Sequence, residues 1–147
     1  METLTQKETF VDVTRKGTCI AFFSAYQDLE VDRMMSYFTP DATIDFQPLG
    51  EGGKGKVAEL GKGIWMGLMD AFPDIDNTID TMEIDGDTVI CKVVIFGTQA
   101  KEFAGIPSKG LSFENDHIFI FHFDNDDQIK AVSVDWNHAS FSEQLGA

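Results

Sequence analysis

Two side chains in the last third of the chain carry the chemistry to move a proton. His117 sits in the stretch 113–123, where Phe113, Asn115, His117, Phe119, Phe121 and Phe123 occupy alternate positions. Alternate residues of a strand share one face, so an amide and an imidazole interrupt an otherwise aromatic surface. A buried polar group without a partner is costly; Asn115 and His117 are therefore either satisfied core residues or the floor of a pocket. Asp135 lies in the stretch 129–136, just after the turn-forming run Asp124-Asn125-Asp126-Asp127-Gln128. If Lys130 faces solvent, alternation turns Ile129, Ala131, Ser133 and Asp135 inward. The short turn makes antiparallel pairing the default, and His117 and Asp135 then approach each other because both lie far from it. Such a pair suits abstraction of a proton beside a carbonyl, since desolvation raises a carboxylate pKa toward the range of a useful base. Asp135 is the candidate base with His117 assisting; the same geometry serves His117 as base with Asp135 fixing its tautomer. The inert alternative is a His–Asp hydrogen bond that only ties the hairpin.

The elements that must position these groups follow from periodicity. Phe10, Val13, Gly17, Ile20, Phe23 and Tyr26 recur at helical spacing and mark an amphipathic helix over 9–26. A shorter helix over 31–38 is stopped by Pro40, and Ala42, Ile44 and Phe46 then share a face of a strand over 41–46. Val57, Leu60, Ile64, Leu68 and Phe72 mark a third helix, ending at Pro73, with Trp65, Met66 and Met69 widening its apolar face. The remainder reads as strands: 78–84 and 88–98 joined by an Asp85-Gly86-Asp87 turn, a connector over 99–110, then 113–123 and 129–136. With Lys92 in solvent, Cys91, Val93 and Ile95 face inward and Ile90, Val94 and Phe96 outward. A short tail over 140–145 reads as helical. Helices first and a mostly antiparallel sheet last argue for an α+β fold, helices packed on one face of a curved sheet.

Those elements supply walls for a pocket. Tyr26, Asn115 and Asn137 could donate to or orient a substrate oxygen, and Phe23, Phe38, Phe46, Trp65, Met69 and Phe119 could form an apolar lining for a small apolar molecule. Catalysis and plain binding of a hydrophobic ligand both fit this set.

Composition narrows the classes. A length of 147 residues suits one domain, 1–147, with a sizeable core. Eleven basic against 25 acidic residues give a formal charge of −14, which repels nucleic acid and anionic membranes. No apolar run approaches a membrane span, and the start 1–8 carries no apolar signal-peptide core. Cys19 and Cys91 sit inside apolar patterns and read as reduced core thiols of a cytoplasmic protein. Metal-ligand spacing is absent, and no metal site is expected. Gly50 to Lys56 fits G-x-x-x-x-G-K, but Val57 stands where a phosphate loop needs Ser or Thr, so the run reads as a glycine turn.

Several pieces, taken in order, carry a resemblance: Tyr37-Phe38-Thr39-Pro40-Asp41-Ala42, Ala71-Phe72-Pro73-Asp74-Ile75, Gly97-Thr98, Phe103-Ala104-Gly105-Ile106-Pro107-Ser108-Lys109-Gly110 and Gln144-Leu145-Gly146. With them the chain resembles the SnoaL-like polyketide cyclase and ester cyclase group of the NTF2-like superfamily. The resemblance implies a cone: three amino-terminal helices packed on a strongly curved sheet around one cavity, often as a homodimer through the outer sheet face. It also implies cofactor-independent acid–base chemistry, in the family's cyclases an aldol ring closure of a polyketide by an aspartate near the end of the sheet. Asp135 and Asn137 are the residues in the matching region. Related folds perform ketosteroid isomerisation and epoxide hydrolysis from similar cavities, so an epoxide-hydrolase-like enzyme and a non-catalytic binder are the alternatives.

Overall fold

The computed structural model describes residues 8–147. The stretch 1–7, part of the start read above as lacking a signal-peptide core, lies outside the described residues. Helix α1 spans Phe10–Gln27 and α2 spans Val31–Met35. A wide helical turn, Val57–Gly61, leads into α3, Lys62–Ala71, and a short α4, His138–Gln144, ends the chain. The strands are β1 Phe38–Phe46, β2 Lys54–Lys56, β3 Asp76–Asp85, β4 Thr88–Thr98, β5 Ser112–Phe123 and β6 Ile129–Trp136. They form one curved, unclosed sheet in the order β2-β1-β6-β5-β4-β3, antiparallel except for the β1–β6 pair. The expected α+β architecture, with helices packed on one face of a curved, mostly antiparallel sheet, is what the chain adopts.

Helix α1 starts at a capping box, Thr9 and Asp12 exchanging backbone hydrogen bonds. Its inward stripe differs from the expected one. Phe10, Val13 and Ile20 are exposed, whereas Arg15, Cys19, Phe22, Phe23 and Tyr26 are buried. A charge hides the true face from hydrophobic periodicity: Arg15 is buried because Asp127 (2.9 Å), Asp87 (3.1 Å) and the Asp124 carbonyl (3.2 Å) satisfy its guanidinium. Phe22 then occupies the centre of the core, with ring centroids of Trp65, Phe121 and Phe38 at 5.4, 5.3 and 5.8 Å.

Strand β4 alternates as expected, Cys91, Val93 and Ile95 inward and Ile90, Val94 and Phe96 on the outer face. Strand β6 does not. The β5–β6 register shifts between His122 and Phe123, so that Ile129 pairs with Phe123 and Ala131 already pairs with His122. Lys130 is the extra residue of a bulge, and a bulge reverses the alternation beyond it. Val132, Val134 and Trp136 therefore point inward, and Ala131, Ser133 and Asp135 point outward. Strict alternation from an outward Lys130 would have put Val132, Val134 and Trp136 on the outer face; the bulge withdraws them, and the outer apolar surface consists of Ile90, Val94, Phe96, Ile118 and Ile120. Among the described residues no helix is long and apolar enough to cross a membrane.

Candidate active site

The concave side of the sheet and the helices enclose a cavity of about 220 Å³. Its floor is β5 and β6. Phe119 and His117 come from β5, Val134 and Trp136 from β6, and Phe46 from the adjoining β1, whose Phe46 is the register partner of Val134. Tyr26 at the end of α1 and Ile64, Trp65 and Leu68 of α3 form the opposite wall. The connector after β4 adds Phe103 and Ala104 to the lining, and α4 supplies His138 and Phe141. That connector is pinned by Gln99, whose buried side-chain amide donates to the Lys101 and Ile106 carbonyls (3.0 and 2.8 Å). Helix α4 is held by Gln144, whose carboxamide accepts from the Glu114 N–H (2.8 Å) and donates to the Glu114 carbonyl (3.3 Å) on β5.

Among the described residues no carboxylate lines this cavity; its polar side chains are Tyr26, Trp65, His117, Trp136 and His138. His117 Nδ1 lies 3.3 Å from the backbone oxygen of Asn115. A carbonyl only accepts, so Nδ1 carries the proton and, in the neutral ring, Nε2 carries the lone pair. Burial pushes the His117 pKa down from 6.5 to about 4, against the smaller opposing effects of the Asn115 carbonyl, Asp116 and Asp135. The imidazole is therefore neutral at physiological pH, an acceptor on the cavity floor. The hydroxyl of Tyr26 and Nε1 of Trp65 make no hydrogen bond within the protein among the described residues. Both side chains line the cavity, and among the described residues the one sealed and unpaired side-chain atom is Gln99 Oε1. Both therefore offer donors to a ligand, and burial raises the Tyr26 pKa, keeping its proton in place.

The structure brings together His117, Tyr26, Trp65, Phe46 and Phe119 of the residues expected from sequence. It does not bring Asp135 to them. Asp135 is exposed on the outer face, paired with Ile118, one position out of phase with His117 because of the Lys130 bulge. Asn115 is buried beside the site: its side-chain oxygen accepts from Gln144 (3.3 Å) and its backbone orients His117. Asn137 caps α4, accepting from the Ser140 N–H at 2.9 Å. Phe23 and Phe38 pack one layer behind, Phe23 against Phe119 at 5.0 Å and Phe38 against Trp65 at 6.3 Å. Met69 is buried on α3 and does not reach the cavity. Trp136 and His138 line the cavity and were not among the site residues expected from sequence. The Asn137-His138-Ala139-Ser140 run, a helix start with a capping side chain, was the available signal for His138.

Comparison with known proteins fits this architecture. The SnoaL-like domain model matches residues 20–132, most of the chain, and the chain belongs to the SnoaL-like family. No curated protein is significantly similar in sequence. Among solved structures, a candidate SnoaL-like polyketide cyclase from Jannaschia sp. CCS1 superposes with a TM-score of 0.85 at 15% identity, covering 96% of this chain and 97% of that one. IdmH of Streptomyces antibioticus, named as a candidate polyketide cyclase, gives a TM-score of 0.76 at 23% identity over 90% and 99% of the two chains. AclR of Streptomyces galilaeus, named as a candidate hydroxylase, gives 0.78 at 18% over 90% and 95%. These likenesses are of fold, and a fold of this kind carries more than one chemistry.

Proposed function

We infer that the protein is a cofactor-independent acid–base catalyst of the cyclase or isomerase type, acting on a compact, mostly apolar carbonyl compound, with His117 as the base. The observation that carries this reading is the His117–Asn115 hydrogen bond, which leaves the Nε2 lone pair free in a cavity that no carboxylate of the described residues lines. An apolar cavity of about 150 Å³ is enough to take up benzene, so the 220 Å³ here suits one or two fused rings.

The reaction is an isomerisation and balances without a co-reactant. His117 Nε2 takes a proton from a carbon beside a carbonyl; the C–H electron pair becomes a C=C bond and the carbonyl π pair moves to oxygen. The Tyr26 hydroxyl donates to that oxygen. For an aldol closure the enolate carbon attacks a second carbonyl of the same molecule, and the new alkoxide recovers the proton from His117. A base whose pKa lies near 4 is weak. It suits a C–H already acidified by two flanking carbonyls, as in a polyketide-like chain.

The test is turnover of a 1,3-dicarbonyl that bears one aromatic ring, followed by mass-neutral product formation. Wild type is expected to convert it and His117→Leu to be slower by about 10²-fold or more. Equal rates in both proteins would overturn the reading. The almost wholly apolar lining favours one alternative, a carrier of a hydrophobic ligand. A ligand retained through purification and never converted would establish it.

A further inference from the structure

His138 and Trp136 form a unit that the His117 reading does not use. Trp136 is the cross-strand partner of His117. The two rings stack at 5.5 Å with an interplanar angle of 13°. The indole N–H is then directed past His117 to His138: Trp136 Nε1 lies 3.2 Å from His138 Nδ1. An indole nitrogen only donates. Nδ1 of His138 is therefore the acceptor, and the proton of the neutral ring sits on Nε2. This tautomer is the opposite of the one at His117, whose Nδ1 donates. One cavity thus holds an imidazole that offers a lone pair and an imidazole that offers an N–H.

The Nδ1 lone pair of His138 is engaged by the Trp136 N–H. A neutral imidazole does not readily surrender its remaining proton, so His138 Nε2–H stabilises a developing oxyanion by hydrogen bonding and returns unchanged. Its position is fixed from three sides. The Asn137 side chain caps the backbone at His138 through the Ser140 N–H, Phe141 stacks on the ring at 5.6 Å, and Trp136 holds Nδ1. Donors already in place when charge develops need no reorganisation and are worth more in an apolar site than in water.

We propose that His138 Nε2–H is a second donor, with Tyr26, for the anionic oxygen of an enolate or enolate-like ligand, and that Trp136 is the positioning residue that fixes its tautomer. The chemical class of ligand follows: a compact ring system with an ionised, delocalised oxygen directed at α4, and a hydroxyl or acidic C–H directed at His117. The proposal rests on the acid–base reading of the cavity, but its ligand-binding content stands apart from turnover.

The experiment uses the whole protein labelled with ¹⁵N in histidine, and the anion of 2-hydroxy-1,4-naphthoquinone as a coloured two-ring enolate mimic. In wild type at neutral pH, the ¹⁵N–¹H correlation pattern is expected to show His138 protonated at Nε2 and His117 at Nδ1. Trp136→Phe keeps an aromatic ring against His117 and removes the N–H; His138 should then populate both tautomers, and the probe should bind about tenfold more weakly. His138→Leu should lose at least as much affinity, and His138→Gln, which keeps a donor, should recover most of it. A merely structural role for His138 would not distinguish Gln from Leu. A wild-type His138 protonated at Nδ1, a measurement that needs no variant, overturns the proposal. So does probe affinity unchanged within twofold in Trp136→Phe. Turnover lost in His117→Leu but retained in Trp136→Phe leaves the acid–base reading standing and removes this one. The expected tautomers and affinities without any turnover would do the reverse.

Discussion

His117 and Trp136 face each other across the β5–β6 ladder with their rings 5.5 Å apart and nearly parallel. The bulge at Lys130 makes this pair possible. Without that extra residue Asp135, not Trp136, would share the inward face with His117. One inserted residue in a turn-proximal position thus exchanges a carboxylate for an indole on the floor of the cavity, and turns a charged environment for the imidazole into an apolar one.

The first prediction follows from that exchange. Burial lowers the His117 pKa from 6.5 to about 4. The unfolded chain therefore binds the proton more tightly than the folded one, and stability rises with pH across the window between those values. The contribution is complete above pH 6.5 and is lost as pH falls toward 4, by about 3 kcal/mol at roughly 1.4 kcal/mol per pKa unit. Chemical denaturation of wild type and His117→Leu at pH 4.5 and pH 7 checks this; the variant should show a flatter pH profile. Turnover, where it depends on the neutral imidazole, should hold from neutral pH down to about 5. A fall in rate through pH 6.5 would place the group in a wetter site than the structure gives it.

Asp135 provides the second. It is exposed and on the far side of the sheet. Asp135→Asn should leave the melting temperature and probe affinity within experimental error of wild type, since surface changes away from special features rarely exceed 0.5 kcal/mol. Its one expected trace is a slightly lower His117 pKa, because its charge favours the imidazolium. A large loss of turnover in this variant would restore the arrangement expected from sequence alternation.

Two of the expectations that failed, the β6 face and the α1 stripe, share a physical origin. Strand existence, the two-residue hairpin turn at Gly86 and Asp87, the inward faces of β4 and β5, and the wall residues Tyr26, Trp65 and Phe119 were legible because local pattern and tertiary burial agree there. At Lys130 the pattern holds up to the bulge and inverts after it, and nothing in the lone sequence marks the inversion. At Arg15 the partners that make burial tolerable, Asp87 and Asp127, lie in two distant turns. His138 escaped because it belongs to a seven-residue helix rather than to a strand, and its value comes from an indole that the inverted face delivers.

The third prediction concerns Arg15. Its guanidinium joins α1 to the β3–β4 and β5–β6 turns and lies over Phe123 at 5.5 Å. Removing one partner of a buried charged network leaves the rest uncompensated. Arg15→Met should cost about 2–4 kcal/mol. Asp87→Asn should cost under about 1 kcal/mol, because the Asp87 side chain is 72% exposed. Urea midpoints for the two variants give the ordering directly.

Assembly gives the last. Ile90, Val94, Phe96, Ile118 and Ile120 lie together on the convex face, and Ile90 and Ile120 are direct cross-strand partners. The patch is smaller than sequence alternation suggested, with Val132, Val134 and Trp136 withdrawn to the interior. Its rim is charged: Lys92 and Asp135 flank Ile118 across the ladder, and Glu114 and Asp116 lie along the same face of β5. An apolar centre with a polar rim is the composition of a self-complementary interface, and we expect a homodimer in which these sheet faces meet. Ile120→Arg places a charge at the centre and, in a two-fold dimer, places two of them close together, so it should yield a monomer. The side chain is half-buried in the isolated chain, so the same variant should leave the fold intact. Light scattering at micromolar concentration is the measurement, with circular dichroism as the control. Wild type that is already monomeric at that concentration would refute the dimer, and a variant that stays dimeric would move the interface elsewhere on the surface. The cavity lies on the opposite face of the sheet from Ile120, so His117-dependent probe binding should be unchanged in Ile120→Arg whichever way the assembly falls.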